Sequence, residues 1–245
     1  MLLAFLTVFL SVNFVYGSSD EDMPDDIDVD DTTGNVRFDD RFEKFNREVF
    51  AFNKGIDKVG IRPATKVYRK ITFPEWGRQR VSNALKNLNE PNHMIDSILY
   101  ANPAGFFKSG VRFLINSTVG VFGLFDVAGK LGVKRSDISF SDVMAGRMCI
   151  RNGPYLMIPI LGPSTARNAS GLAVDKFVLD PFSLIMPLHI TVVRFGLEIV
   201  STRSEKGHIM KQISEDSIDD YAMLRSLYYQ SDYTKEFTTY DNSKK

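Results

Sequence analysis

The residues best suited to chemistry are sparse here: His93, His189 and His208 stand far apart, and Cys149 is the single cysteine. Neither a Gly-x-Ser-x-Gly elbow nor a His-Glu-x-x-His pair occurs, so nucleophilic and zinc chemistry lack their local arrangements. A triad built in space around Ser164 would draw on scattered His and Asp residues of a kind that nearly every chain of this size contains. The stretch from Gly123 to Gly129-Lys130 approaches a phosphate-binding loop, but five residues intervene in place of four, and Leu131 stands where Ser or Thr is needed. Cys149 lies between Met148 and Ile150, which predicts a buried, inert thiol. No catalytic residue, metal ligand or cofactor is assigned, and the chain is read as something other than an enzyme.

Polar side chains set inside apolar runs are more informative. Arg112 opens and Asp126 closes a thirteen-residue run without charge, Phe113 to Phe125, which carries Asn116, Ser117 and Thr118 and then Gly120 and Gly123. The run is too short to cross a bilayer, which takes about 20 apolar residues, and reads as a core helix, a re-entrant segment or an interfacial one. Surrounded by lipid, its polar groups would be unsatisfied; facing a polar interior or a neighbouring helix, they find partners. The glycines allow close backbone approach or a bend, at a pore wall or in a kinked helix of a soluble core. A second block, Asn152 to Ser164, holds Gly153, Pro154, Pro159, Gly162 and Pro163, which forbid a long regular helix. It suits a fixed irregular wall along a water-filled cavity or an ordinary buried loop. Tyr155 to Ile160 could form a strand, although Pro159 argues against a central one.

These residues must be positioned mainly by helices. Phe42, Phe45, Val49, Phe52 and Ile56 recur at steps of three and four, placing aromatics along one stripe that either enters the core or rests on acyl chains. Gly55, Gly60 and Pro63 then punctuate the chain, a helix follows over 75–88, Pro91 marks a break, and a further helix runs over 92–100. The apolar region Phe177 to Val200 is broken by Pro181 and Pro187. Its following helix, with Ile190, Val193, Leu197 and Val200 on one face and Arg194 and Glu198 four apart, suits the headgroup plane or the flank of a soluble core. Ser217-Ile218-Asp219-Asp220 opens a last helix, on which Tyr221, Leu224 and Tyr228 share a face with Arg225 beside it. That face either docks a partner or closes a channel mouth, or it packs back as core.

Composition bounds the rest. The 245 residues and 44% hydrophobic content suffice for one sizeable core. The net charge of zero hides an asymmetry: Asp20 to Asp31 holds eight acidic residues, no Lys or Arg precedes Arg37, and the remainder has 30 basic against 22 acidic side chains. The basic residues are dispersed, which argues against nucleic acid and for anionic phospholipid headgroups. Residues 1–17 read as a secretory signal peptide, with Val15 and Gly17 before a cleavage at Ser18, or as a retained anchor. Residues 18–36 read as an acidic, disordered linker, 37–235 as one helical domain and 236–245 as a flexible tail.

Five colinear blocks carry a family likeness. RFLINSTVGVFGLFDVA (Arg112 to Ala128), FNREVFAFN (Phe45 to Asn53), LNEP (Leu88 to Pro91), NGPYLMIPILGPSTARN (Asn152 to Asn168) and DDYAMLRSLYYQ (Asp219 to Gln230) resemble segments of the MlaA/VacJ family of outer-membrane lipid-asymmetry proteins. The likeness spans roughly residues 40 to 232. It departs at Phe140-Ser141-Asp142, where the family commonly has a Phe-Gly-Gln type sequence, and at Ser18 or Ser19, where the family carries a lipid-bearing Cys. A lipid anchor is therefore in doubt. The resemblance implies a mainly α fold: a single compact domain of short Gly/Pro-punctuated helices, forming a membrane-embedded, ring-like channel. It implies phospholipid transport from the outer leaflet of the outer membrane, through a passive channel seated in the inner leaflet, to a soluble periplasmic lipid carrier, with a trimeric porin as membrane partner. A soluble periplasmic lipid-binding module is the alternative. The blocks put the lipid pathway or channel wall at Phe45, Asn46, Phe52, Asn53, Arg112, Phe113, Asn116, Gly120, Gly123, Asp126, Gly153, Pro154, Tyr155, Pro159, Gly162 and Pro163. Carrier docking falls on Tyr221, Leu224, Arg225 and Tyr228.

Overall fold

Heptad-spaced Asn46 and Asn53, with Val49 and Phe50 between them, give the first long helix an inward face. In the computed structural model, residues 27–29 and 36–243 are described in backbone and 39–207 and 217–232 in side chains; the leader at 1–17 lies outside them. Strands β1 (Ile27–Val29) and β2 (Val36–Phe38) pair antiparallel, the first of them within the stretch read as a linker. Helix α1 (Glu43–Ile56) passes through a π-helical turn, Asp57–Ile61, into α2 (Arg62–Ile71). Gly55, Gly60 and Pro63 therefore do not break the rod. The glycines lie on an open face, with nothing within 4 Å of where a side chain would begin. Pro63 falls in the first turn of α2, where proline is tolerated, and the wider π turn precedes it.

Helix α3 (Glu75–Leu88) has the bounds that its spacing predicts. Helix α4 (Glu90–Leu99) begins before Pro91 rather than after it, because a proline in the first turn needs no hydrogen-bond donor. Asn102 caps α5 (Pro103–Thr118) by accepting from the Gly105 N–H at 2.9 Å. Helices α4 and α5 meet through small residues: a side chain at Gly105 would come within 2.7 Å of Ser97 Oγ and 2.9 Å of Ser136 Oγ. The thirteen-residue apolar run is not one helix. It leaves α5 after Thr118 and folds back through tight turns to α6 (Val127–Lys130), capped by Asp126.

Helix α7 (Phe140–Gly146) starts on a reciprocal Ser139–Asp142 cap. Cys149 beyond it is exposed, not buried as its apolar neighbours suggested, and lies in the left-handed region at φ 53°. Strands β3 (Tyr155–Ile158) and β4 (Gly162–Thr165) form an antiparallel hairpin in which Tyr155 faces Thr165 and Ile158 faces Gly162. Then follow α8 (Ala166–Val174), a π turn over Asp175–Leu179, α9 (Pro181–Ile185), α10 (Leu188–Asp216) and α11 (Asp220–Ser243). Helix α11 runs on into residues read as a tail. Helix α10 lies along the α1–α2 rod, tied by Arg203 to Asp57 (2.7 and 3.0 Å) and by Arg69 to Ser204.

The fold is thus mainly α. Its hydrophobic core, largely aromatic, is Tyr155, Met157, Tyr221 and Tyr229, with Val49, Phe50, Leu224 and Tyr228 packed around. Elsewhere the usual pattern is reversed: Asn87, Glu90, Asn92, Asp96, Ser109, Arg112 and Asn116 are buried, while Phe107, Leu114, Val119, Phe122, Ile185 and Leu188 are exposed. Phe42, Phe45 and Phe52 point away from the core as well. Among the described residues, no helix is long and apolar enough to cross a membrane.

Candidate functional site

The signature residues converge because α5 puts Arg112 and Asn116 one turn apart and the following turns bring Asp126 back beneath them. Arg112, 3% exposed, donates from Nε to Glu90 Oε1 at 2.9 Å, from Nη2 to Asp126 Oδ1 at 2.8 Å, and from Nη1 to the Val133 carbonyl. Glu90 is fully buried, and Arg135 reaches the same Oε1 at 2.9 Å. Two guanidinium groups and two carboxylates therefore neutralise one another, which is what makes their burial tolerable. Asn116 donates to Asp126 Oδ1 at 3.0 Å and accepts from the Ala128 N–H at 2.9 Å. Burial pushes the Asp126 carboxyl up, but hydrogen bonds from Asn116, the Gly129 N–H and Arg112 outweigh it and hold the group below its ordinary range. Glu90 Oε2, Asn87 Oδ1, Asn92 Oδ1, Ser97 Oγ and Ser109 Oγ are buried without a protein partner, so this interior has unspent capacity for hydrogen bonding.

Gly120 and Gly123 belong to the turn that closes this network. The Gly123 N–H reaches the Asn116 carbonyl at 2.7 Å, and at φ +84° a side chain there would meet the Asn87 side chain at 2.5 Å. Both glycines are packed, so close backbone approach is their function. Val121 and Phe122 take φ of 53° and 56°, costly for such residues, and Phe122 is exposed. Phe113 is half-buried on the same helix.

Two further carboxyl groups lie nearby on α4 and the second π turn. Asp96 and Asp175 are both buried, Asp175 accepting from the Phe140 N–H at 3.2 Å. Burial, then the charge of Asp175, pushes the Asp96 carboxyl up to about 8. Arg194 turns inward to Asp180 (2.8 Å) and Asn89 (2.7 Å), leaving Ile190, Val192 and Val193 exposed on α10.

The remaining predicted residues form a separate set. Asn46 Nδ2 donates to the Tyr155 carbonyl at 2.9 Å while its Oδ1 accepts from the Met157 N–H at 2.9 Å. Asn53 does the same two turns later, to the Ile158 carbonyl (2.9 Å) and from the Ile160 N–H (2.7 Å). Gly153, at φ +67°, and Pro154 lead into β3, Pro159 and Gly162 make its turn, and Pro163 pairs opposite Met157. Tyr221, Leu224, Arg225 and Tyr228 do not form a free docking face. Tyr221 is 1% exposed and bonds Asp40 at 2.6 Å, Leu224 and Tyr228 pack on the aromatic core, and Arg225 pairs with Asp40. Aromatic stripes at helical spacing are drawn inward by the area they bury.

Sequence reasoning assembled Arg112, Asn116 and Asp126 but missed Glu90, Arg135, Asp96 and Asp175. Glu90 was in view inside LNEP, and a carboxylate among Met94, Ile95, Ile98 and Leu99 was a signal for Asp96. Ser164 Oγ bonds the Thr165 carbonyl (3.3 Å), not a histidine. The arrangement is a fixed set of oriented donors and acceptors inside an apolar shell, suited to receiving a charged, polar group without forming covalent bonds.

Residues 38–235 match the family model described as MlaA lipoprotein. The chain is 30% identical over 197 residues to the intermembrane phospholipid transport system lipoprotein MlaA of Escherichia coli, covering 78% of this chain and 76% of that protein. It is 32% identical over 197 residues to an uncharacterised protein of Rickettsia bellii, covering 78% and 74%. A solved structure described as "Structural basis for maintenance of bacterial outer membrane lipid asymmetry" superposes with a TM-score of 0.66 at 28% identity, covering 78% of this chain and 96% of that one.

Proposed function

This chain belongs to the MlaA family, and from that premise we propose that it moves phospholipid out of the outer leaflet of the outer membrane and passes it to a soluble periplasmic carrier. The reversed packing carries this reading: Glu90, Arg112 and Asn116 are buried while Phe107, Leu114, Phe122 and Leu188 are exposed. Water penalises such a surface, and hydrocarbon does not. The apolar helices lie in the inner leaflet, and the polar interior replaces headgroup hydration while acyl tails stay against apolar walls. Nothing in the sequence resembles a nucleotide-binding loop, so movement through this protein is passive or is powered elsewhere. A trimeric porin holds the protein in the membrane, and the periplasmic face meets the carrier.

The test is extraction followed by mass spectrometry of the protein purified in mild detergent. Resistance to carbonate and high salt, with phospholipid and a porin co-purifying, is the expected result. Release by carbonate without detergent would establish the soluble lipid-binding module instead.

A further inference from the structure

The turn joining α2 to α3 leaves Ile71 (77%), Phe73 (78%) and Trp76 (61%) exposed within six residues of chain. Local hydrogen bonds and close packing shape it. Thr72 Oγ1 bonds the Tyr68 carbonyl at 2.6 Å, the Gly77 N–H bonds the Pro74 carbonyl at 2.8 Å, and Gly77 is pressed so close that a side chain there would meet Thr72 O at 2.7 Å. Residues 66–80 hold five basic side chains and a single acidic one, Glu75. Arg78 pairs loosely with Glu75 (3.5 Å) and Arg80 stacks over Phe125 (4.0 Å), while Lys66 and Lys70 extend from exposed positions of α2.

We propose that this turn is an interfacial anchor, its three apolar side chains entering the acyl boundary of a leaflet and its lysines meeting anionic phospholipid headgroups. Tryptophan prefers the depth where a ring is half in hydrocarbon and half among headgroups, and lysine stems reach from there back to water. Each cation near an anionic surface adds on the order of 1 kcal/mol. The charge of the segment selects a lipid surface over an acidic protein groove, because the basic residues flank the apolar tip on both helices. The inference rests on the lipid contact proposed above and adds where, and at what depth, one end of the molecule sits.

Trp76 is the only tryptophan in the chain, so fluorescence reads this site alone. Full-length protein is reconstituted into vesicles of phosphatidylglycerol and phosphatidylcholine. The expected result is blue-shifted Trp76 emission, strong quenching by lipids brominated near the carbonyl end of the acyl chain, and weak quenching by aqueous iodide. Phe73→Ser with Lys70→Glu should shift the emission back to the red and open Trp76 to iodide, with circular dichroism unchanged. Free quenching by iodide while the protein stays in the vesicles overturns the anchor but leaves the lipid contact standing. Strongest quenching from bromines at the acyl terminus places Trp76 too deep and overturns it also. Failure to remain with vesicles at all removes the lipid contact and the anchor with it.

Discussion

The region around the β3–β4 hairpin fills its interior with Tyr155, Met157, Tyr221 and Tyr229, whereas the α4–α5 region fills its own with Glu90, Asp96, Arg112 and Asn116. In the first, polar atoms serve the edges: Asn46 and Asn53 satisfy hairpin backbone, and Asp40 receives Tyr221 and Arg225. In the second, charged groups hold the helices together while large apolar residues face away from them. The two interiors thus follow opposite rules: the hairpin region turns aromatic rings inward, and the α4–α5 region turns paired charges inward and leaves Phe107, Leu114 and Phe122 exposed.

The contrast breaks most severely at Glu90. Glu90→Ala leaves buried Arg112 with Asp126 as its one remaining carboxylate and takes the Glu90 carboxylate from half-buried Arg135, and should cost about 3–5 kcal/mol, seen as a large fall in unfolding temperature in detergent. An unchanged midpoint would mean that the network contributes nothing to stability. Asp96 gives the next effect, graded by pH. Its folded carboxyl is raised from 3.8 to about 8, so the native state keeps a proton that the unfolded chain loses. The contribution of this group to stability is full below 3.8, declines as pH rises, and is gone above about 8. Asp96→Asn should flatten the dependence of melting temperature on pH across that window; an identical slope in both proteins would refute the raised carboxyl.

Gly123→Ala should cost roughly 2–3 kcal/mol, since a side chain at φ +84° is strained and also collides with Asn87. Chemical denaturation measures it, and Gly132→Ala, at φ +87° with open space around it, isolates the strain from the collision. The smallest effect belongs to the hairpin region. The Tyr155 hydroxyl is buried without a partner, so Tyr155→Phe should leave stability unchanged or raise it by up to about 1 kcal/mol. A polar deletion that is harmless there and damaging at Glu90 would establish that the two interiors differ in kind.

Much of this division was legible in the residues. Helix α3 emerged with its bounds, Arg112 and Asp126 stood in the candidate wall, and Asn116 was marked as a polar residue needing an interior or a neighbouring helix. Their partners were not, because Glu90 and Arg135 arrive from other segments and nothing in local spacing records which charges will meet in space. The continuity of α1 into α2 was hidden as well: glycine and proline are read as breaks, yet a π turn and an open face remove the reasons for breaking. The inward packing of Tyr221 and Tyr228 was one of two readings of the same stripe, and only the position of Tyr155 selects between them.

Asn46 and Asn53 each bind hairpin backbone through both ends of one amide. Seven residues of helix rise about 10.5 Å, and three residues of strand rise about 10 Å, so the two attachments stay in step. An insertion of one residue between them would rotate Asn53 by about 100° around α1 and lift it off the hairpin while Asn46 stayed in place. Neither the helix between the two amides nor the strand beneath them can change length alone. An insertion or deletion between the two amides should therefore be selected against, and an alignment of relatives should keep the Asn46–Asn53 interval free of gaps.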